Sequence, residues 1–200
     1  PKIKAVIFDW AGVFCSPGEL FSHPKLIELT GLLVEELGHA TQTLQQHYYR
    51  GHISSHDFWQ GVIRQFNLPL TATELSAAYL ASYHLYPKML VFAEKIRRKL
   101  KTALLSNLTS EMMDDIIRKH FVDHLFDHVL FSNEIGLMKP EQEAYALALK
   151  RLGTTPTETI FIDDSRRNVE AAKALGMPSI LFSSPEQCVR DLTALVDFEV

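Results

Sequence analysis

Five short apolar runs set narrow limits on how this chain can fold: IKAVIF (3–8), KTALLS (101–106), HVLFS (128–132), TIFID (159–163) and PSILF (178–182). Each is nearly continuous, as expected of strands buried on both faces. From Lys88 onward these runs alternate with helix-spaced segments at 88–100, 109–120, 140–153, 166–176 and 185–196. Strands alternating with helices imply parallel pairing, so the expected fold is α/β with a doubly wound, Rossmann-like sheet. Ligands of such sheets sit beyond the carboxyl ends of the strands.

The stretch from about 20 to 84 breaks the alternation. It offers no good strand, and FSHPKLIELTG, LLVEELGHATQTLQQHYYRG, SSHDFWQGVIRQFNLP and TATELSAAYLASYH all carry helical spacing. Ser54 and Ser55 precede one helix and Thr73-Glu74 opens another. The reading is a four-helix insertion at 16–85 in a core made of 1–15 and 86–200. A length of 200 residues suits one domain with a modest insertion. Hydrophobic residues at 46% can sustain a core of that size.

The strand ends carry the chemistry. The first strand ends at Asp9, the second run at Ser106-Asn107, and the run 159–163 at Asp163-Asp164. Lys139 precedes a helix that follows the run 128–132. Three carboxylates, a hydroxyl, an amide and a lysine therefore converge on one sheet edge. Clustered carboxylates repel unless a cation neutralises them, and all-oxygen ligation suits Mg²⁺. A metal beside a lysine makes an anion site, for which phosphate is the obvious anion. A carboxylate can be the nucleophile in phosphoryl transfer. Gly12 permits a tight turn whose amides could cradle phosphoryl oxygens. Any one of these residues alone has a plainer reading as a cap, a turn residue or a solvated charge.

Taken in order, FDWAG, LLSN, KPEQEAY and FIDDSRRNVEAAKALG resemble the four motifs of the haloacid dehalogenase superfamily, over nearly the whole chain. The helical insertion is similar to the cap of its subfamily I, and the LSN and KPE segments look like those of the glucose 1-phosphate phosphatase-like branch. The resemblance implies roles by position. Asp9 is the nucleophile and a metal ligand, and the backbone carbonyl of Ala11 is a second ligand. Ser106 binds the phosphoryl group with Asn107 beside it, and Lys139 neutralises the nucleophile and the phosphoryl group. Asp164 ligates Mg²⁺ directly, while Asp163 and Asn168 hold waters around it. The implied function is hydrolysis of a small phosphorylated metabolite.

One position departs from the family. Most of its phosphatases carry a second aspartate two residues after the nucleophile, where this chain has Ala11. That aspartate is an acid–base catalyst, a type of group that contributes about 10²–10⁴-fold. Its loss leaves open a phosphatase for good leaving groups and a non-catalytic protein binding a phosphorylated ligand or a partner. A carbon–phosphorus hydrolase shares the DWAG string but needs a lysine in the cap, where only Lys25 and the border residue Lys88 are found. A dehalogenase has neutral residues in place of Asp163-Asp164.

The remaining features read plainly. His120, His124 and His128 recur every four residues, but the last falls in a strand, which breaks a helical zinc face. Tyr48-Tyr49, Phe58 and Trp59 suit the core of the insertion, and Trp10 either packs beneath it or shields the site. Cys15 and Cys188 form neither a disulfide framework nor a metal pair, which suits reduced thiols in a cytoplasmic protein. The net charge of -4 gives no attraction to nucleic acid or an anionic membrane. No run has the length of a transmembrane span and no secretory segment opens the chain. A monomer or homodimer is expected.

Overall fold

A computed structural model describes residues 2–16, 19–81, 83–120 and 124–198. The strands in chain order are β1 (Ala5–Phe8), β2 (Cys15–Ser16), β3 (His84–Leu85), β4 (Lys101–Ser106), β5 (His128–Phe131), β6 (Thr159–Asp163) and β7 (Ser179–Leu181). The helices are α1 (Pro24–Thr30), α2 (Val34–Ala40), α3 (Gln42–Tyr49), α4 (Ser55–Phe66), α5 (Ala72–Leu80), α6 (Pro87–Arg97), α7 (Ser110–His120), α8 (Ser132–Ile135), α9 (Gln142–Leu152), α10 (Arg166–Ala174) and α11 (Pro185–Thr193). Five strands, ordered β5-β4-β1-β6-β7, form one parallel sheet. This is the doubly wound α/β arrangement expected from the alternation.

The sheet is covered on both faces, and the period-two alternation of its strands decides which side chain goes where. Val6, Phe8, Leu104, Ile160 and Ile162 face a core completed by Phe92 and Ile96 of α6, Ile116 of α7 and Leu192 of α11. Ala5, Ile7, Ala103, Leu105 and Phe161 face the opposite core with Tyr145 and Ala148 of α9 and Ala172 of α10. Phe8 packs against Phe14, Phe92 and Phe126 with ring centroids 5.7, 6.4 and 5.8 Å away. Each such buried aromatic stabilises the fold by roughly 1.5–3 kcal/mol. β1 lies at the centre, and the Asp9 N–H donates to the Ile162 carbonyl at 2.9 Å, continuing the ladder one residue past the strand.

The structure departs from the sequence expectation in three ways. Among the described residues the insertion holds five α-helices rather than four, because the segment 32–51 breaks at Thr41. There Thr41 Oγ1 donates to the Leu37 carbonyl at 2.6 Å, and Gln45 Nε2 donates to the Gly38 carbonyl at 2.9 Å. These local bonds compete with a continuous helix. The insertion also begins and ends on an antiparallel ribbon, Cys15 opposite Leu85 and Ser16 opposite His84. Two-residue strands are too short to show a period. Finally, α8 follows β5 directly, a single turn closed by Gly136 at φ 71°. Capping was nearer the mark: Ser54 Oγ accepts from the Asp57 N–H at 3.1 Å, while the box that opens α5 is Thr71 with Glu74. α7 ends at His120 and His128 opens β5, so the spaced histidines share no helical face.

Tyr48, Phe58 and Trp59 form the core of the insertion, as expected, with Tyr48 stacked on Phe58 at 4.4 Å. One carboxylate binds this core to the sheet. Glu111 of α7 accepts from Tyr48 Oη at 2.6 Å, Ser55 Oγ at 2.7 Å, Trp59 Nε1 at 2.9 Å and Ser76 Oγ. Four donors from α3, α4 and α5 thus converge on one side chain. His23, 2% exposed, packs against Tyr79 with ring centroids 4.5 Å apart and planes tilted by 56°, and burial lowers its pKa from 6.5 to about 4.

Two outcomes follow for stability. Glu111→Ala strands four donors and should cost about 3–5 kcal/mol, read as a lower urea midpoint. His23 is neutral in the folded state but protonates near its ordinary value when unfolded. Stability from this group is therefore present above pH 6.5 and is lost as pH falls from 6.5 toward 4. Urea titrations between pH 7 and 5 should show a shallower loss in His23→Phe than in the parent chain; equal slopes would refute the assignment.

Candidate active site

β1 delivers Asp9 to the bottom of a cavity of about 1030 Å³ that lies between the carboxyl edge of the sheet and the helical insertion. Asp9 is only 6% exposed. Its Oδ1 accepts from the Trp10 N–H at 2.7 Å and from Ser106 Oγ at 2.6 Å, and pairs with Lys139 Nζ at 2.8 Å. Ser106 ends β4, the neighbouring strand, which is why its hydroxyl reaches across. Three partners on one oxygen fix the carboxylate's orientation.

Lys139 stands between two carboxylates. Its Nζ donates to Asp163 Oδ2 at 2.6 Å and lies 5.6 Å from the centre of the Phe161 ring. Burial works against its charge, but Asp163 and Asp9 more than offset that and raise its pKa above the ordinary lysine value. The turn carrying Lys139 is clamped by Asn107, whose Oδ1 accepts from the Lys139 N–H and whose Nδ2 donates to the Lys139 carbonyl, both at 2.9 Å. The Asn107 side chain, expected beside the phosphoryl group, thus spends both ends of its amide on placing the lysine.

Asp163 is fully buried, and besides the Lys139 ammonium it holds its own loop and α10. Oδ1 accepts the Ser165 N–H at 2.8 Å, and Asn168 Nδ2 reaches both oxygens at 3.2 and 3.1 Å. Asp164 is different, for its carboxylate lies on the exposed lip of the cavity. Oxygen atoms of Asp9, Asp163 and Asp164 lie within 4.8 Å of one another. Burial, opposed by Lys139 and reinforced by Asp163 and Asp164, pushes Asp9 up to about 7. Partial loss of water, then Asp163, pushes Asp164 up to about 6. Three carboxylates against one ammonium leave a surplus of negative charge that suits a divalent cation.

The turn after Asp9 is shaped around that surplus. Gly12 has φ 84°, and a Cβ there would lie 1.8 Å from Asp164 Oδ2. Only a glycine lets the backbone pass so close to the carboxylate. Ala11 lines the cavity between Asp9 and Gly12. Trp10 turns the other way: it is fully buried and stacks on Phe14 at 5.1 Å, so it packs in the core beneath the turn. Cys15 and Cys188 are free, buried thiols, each pushed up to about 12 by burial.

The strand ends predict Asp9, Ser106, Asn107, Lys139, Asp163 and Asp164 at one edge, and all six lie there, with Asn168 bonded to Asp163. They do not reveal the roof. Tyr49, Gln42, Gln45 and His39 line the cavity from above. Tyr48 and Tyr49 divide, the first entering the insertion core and the second facing the cavity, because successive helical residues point about 100° apart. The sequence does not give the direction in which these side chains face. No helix among the described residues is long and apolar enough to cross a membrane.

Known proteins resemble this chain in sequence and in fold. The sesquiterpene phosphatase astK of Aspergillus oryzae is 29% identical, the match covering 96% of each chain. The phosphoglycolate phosphatase of Aliivibrio fischeri is 25% identical over 88% of this chain and 82% of its own. Among solved structures, a HAD family enzyme from Bacteroides thetaiotaomicron, in complex with magnesium and inorganic phosphate, superposes with a TM-score of 0.78. It is 23% identical over 90% of this chain and 94% of its own. Residues 3–176 match the haloacid dehalogenase-like hydrolase family, and the chain, a hydrolase, belongs to it.

Proposed function

We propose that this hydrolase is a magnesium-dependent phosphatase of a small organic phosphate, with Asp9 as the attacking carboxylate. The observation that carries the reading is the Asp9–Lys139–Asp163 triad, of which Asp9 and Lys139 line a cavity roomy enough for an organic phosphate and Asp163 lies buried behind them. Two relatives bear phosphatase names, and a structural neighbour holds magnesium and inorganic phosphate, which supports the same chemistry.

The residues fit the metal. Asp9, Asp164 and the Ala11 carbonyl would hold the ion, and Asp163 and Asn168 would hold its waters. Bound there, magnesium supplies positive charge that offsets the carboxylates and the phosphoryl oxygens. The chain does the rest. Lys139 and the Ser106 hydroxyl hold the phosphoryl group against Asp9. A carboxylate oxygen of Asp9 bonds to phosphorus as the bond to the leaving oxygen breaks, giving an aspartyl-phosphate. Water then attacks phosphorus, the bond to Asp9 breaks, and the carboxylate is restored. The helices at 16–85 act as a cap that keeps bulk water from the site. Ala11 offers no proton to the leaving group, so substrates whose leaving oxygen is already a weak base should be preferred. The same alanine supports a second reading, a phosphate-binding protein with little turnover.

Two experiments test this. With Mg²⁺, the chain should release phosphate from an aryl phosphate, chelation should stop it, and Asp9→Asn should lower the rate by at least about 10³-fold. Undiminished turnover in Asp9→Asn removes Asp9 as nucleophile. Absence of turnover in the parent chain, with phosphate still raising its melting temperature, favours the binding protein. Ala11→Asp should raise activity on alkyl phosphates more than on aryl phosphates; an equal rise would show that leaving-group protonation is not what limits the chain.

A further inference from the structure

Arg50 was assigned nothing by the sequence, yet it reaches from the helical insertion to the loop that bears Lys139. It follows the last residue of α3, and its guanidinium is about a quarter exposed. Nη1 donates to the Gly136 carbonyl at 2.9 Å and to Glu141 Oε2 at 3.3 Å, while Nη2 donates to Glu141 Oε1. This two-pronged pairing is the geometry in which arginine binds a carboxylate with most specificity.

Glu141 itself braces the same loop. Its Oε2 accepts from the Met138 N–H at 3.1 Å, and its own N–H donates to the Met138 carbonyl at 2.8 Å. These two bonds close a turn with Lys139 inside it. Asn107 grips Lys139 from the sheet side. Arg50 ties the other side, through Gly136 before the turn and Glu141 after it. Arg50 is not alone at this contact. The next residue, Gly51, has φ 73°, and a Cβ there would lie 2.2 Å from the Asn133 carbonyl of α8. The end of α3 therefore docks backbone to backbone, which places the guanidinium over the loop.

We propose that Arg50 is a positioning residue for Lys139, acting through Glu141 so that the lysine is fully placed only while the insertion is docked. The proposal rests on the role given to Lys139 above. A lysine that bridges Asp9 and Asp163 has little tolerance, since displacements of about 1 Å in a site can cost 10²-fold in rate. The insertion thereby acts on the chemistry as well as covering it, because undocking α3 releases one of the two sides that hold the turn.

The test uses the full chain in two measurements. In Arg50→Gln, kcat for an aryl phosphate with Mg²⁺ should fall about tenfold, with KM changed less than twofold. Arg50→Lys, which keeps the charge but not the fork, should recover part of the rate. Amide hydrogen exchange across 136–142 should quicken in Arg50→Gln, Lys139 included. Glu141→Gln should slow the enzyme similarly, and the double variant should be no slower than the worse single one. A lowered melting temperature with unchanged kcat and unchanged exchange would show a merely structural tie and overturn the proposal, as would additive losses in the double variant. If the parent chain releases no phosphate, the phosphatase reading fails on its own. The exchange result then still decides whether Arg50 holds the turn.

Discussion

The ammonium of Lys139, bonded to Asp9 and Asp163 in a nearly dry setting, is the interaction around which the rest is arranged. Two carboxylates that approach in a low-dielectric interior repel strongly, and a shared cation turns that repulsion into a fixed geometry. The sheet supplies the distances. β1 and β6 are adjacent and parallel, so the residues just past their ends come out side by side. Lys139 arrives from a loop and needs its own scaffold, provided by Asn107 on one side and Glu141 on the other. Removing the lysine would leave buried negative charge without a partner, so its absence should be felt in folding as well as in rate.

Most of this was legible in the sequence, because the parts that carry chemistry sit where a parallel sheet must put them. Strand ends are readable from apolar runs, and a residue at a strand end has a fixed address in the fold. Asp9, Ser106 and Asp163 were found on that ground alone. Glu111 and Arg50 were not. Each acts across a gap of tens of residues in sequence, and each lies in a helix or turn whose outward direction depends on tertiary packing. An acidic residue in the first turn of α7 reads locally as a favourable charge at a helix start, and an arginine before a glycine reads as a helix end. The break at Thr41 was hidden for a related reason, since side-chain bonds to the backbone, not apolar spacing, end α2 there.

The surplus of charge at the site also explains the backbone around it. Gly12 has no room for a side chain because Asp164 occupies that space. The glycine and the carboxylate form one device: the turn brings its amides close, and the acid fills the volume that the missing side chain vacates. Burial that raises Asp9 to about 7 marks the same strain from the electrostatic side. A site that disfavours its own ionised state is prepared to receive positive charge.

The two-residue ribbon has a consequence for how this protein can change over generations. Cys15 pairs with Leu85 and Ser16 with His84, so the chain leaves the sheet and returns to it at adjacent points. The sheet therefore meets the same pair of anchor points whatever runs between them, and closing a longer loop costs only about 0.6 kcal/mol per doubling of length. Helices there can be lengthened, traded or resculpted to admit a different molecule while the strand ends that hold Asp9 and Asp163 stay in register. Where the exchange includes the Arg50–Glu141 tie, the new segment must bring its own means of steadying the lysine.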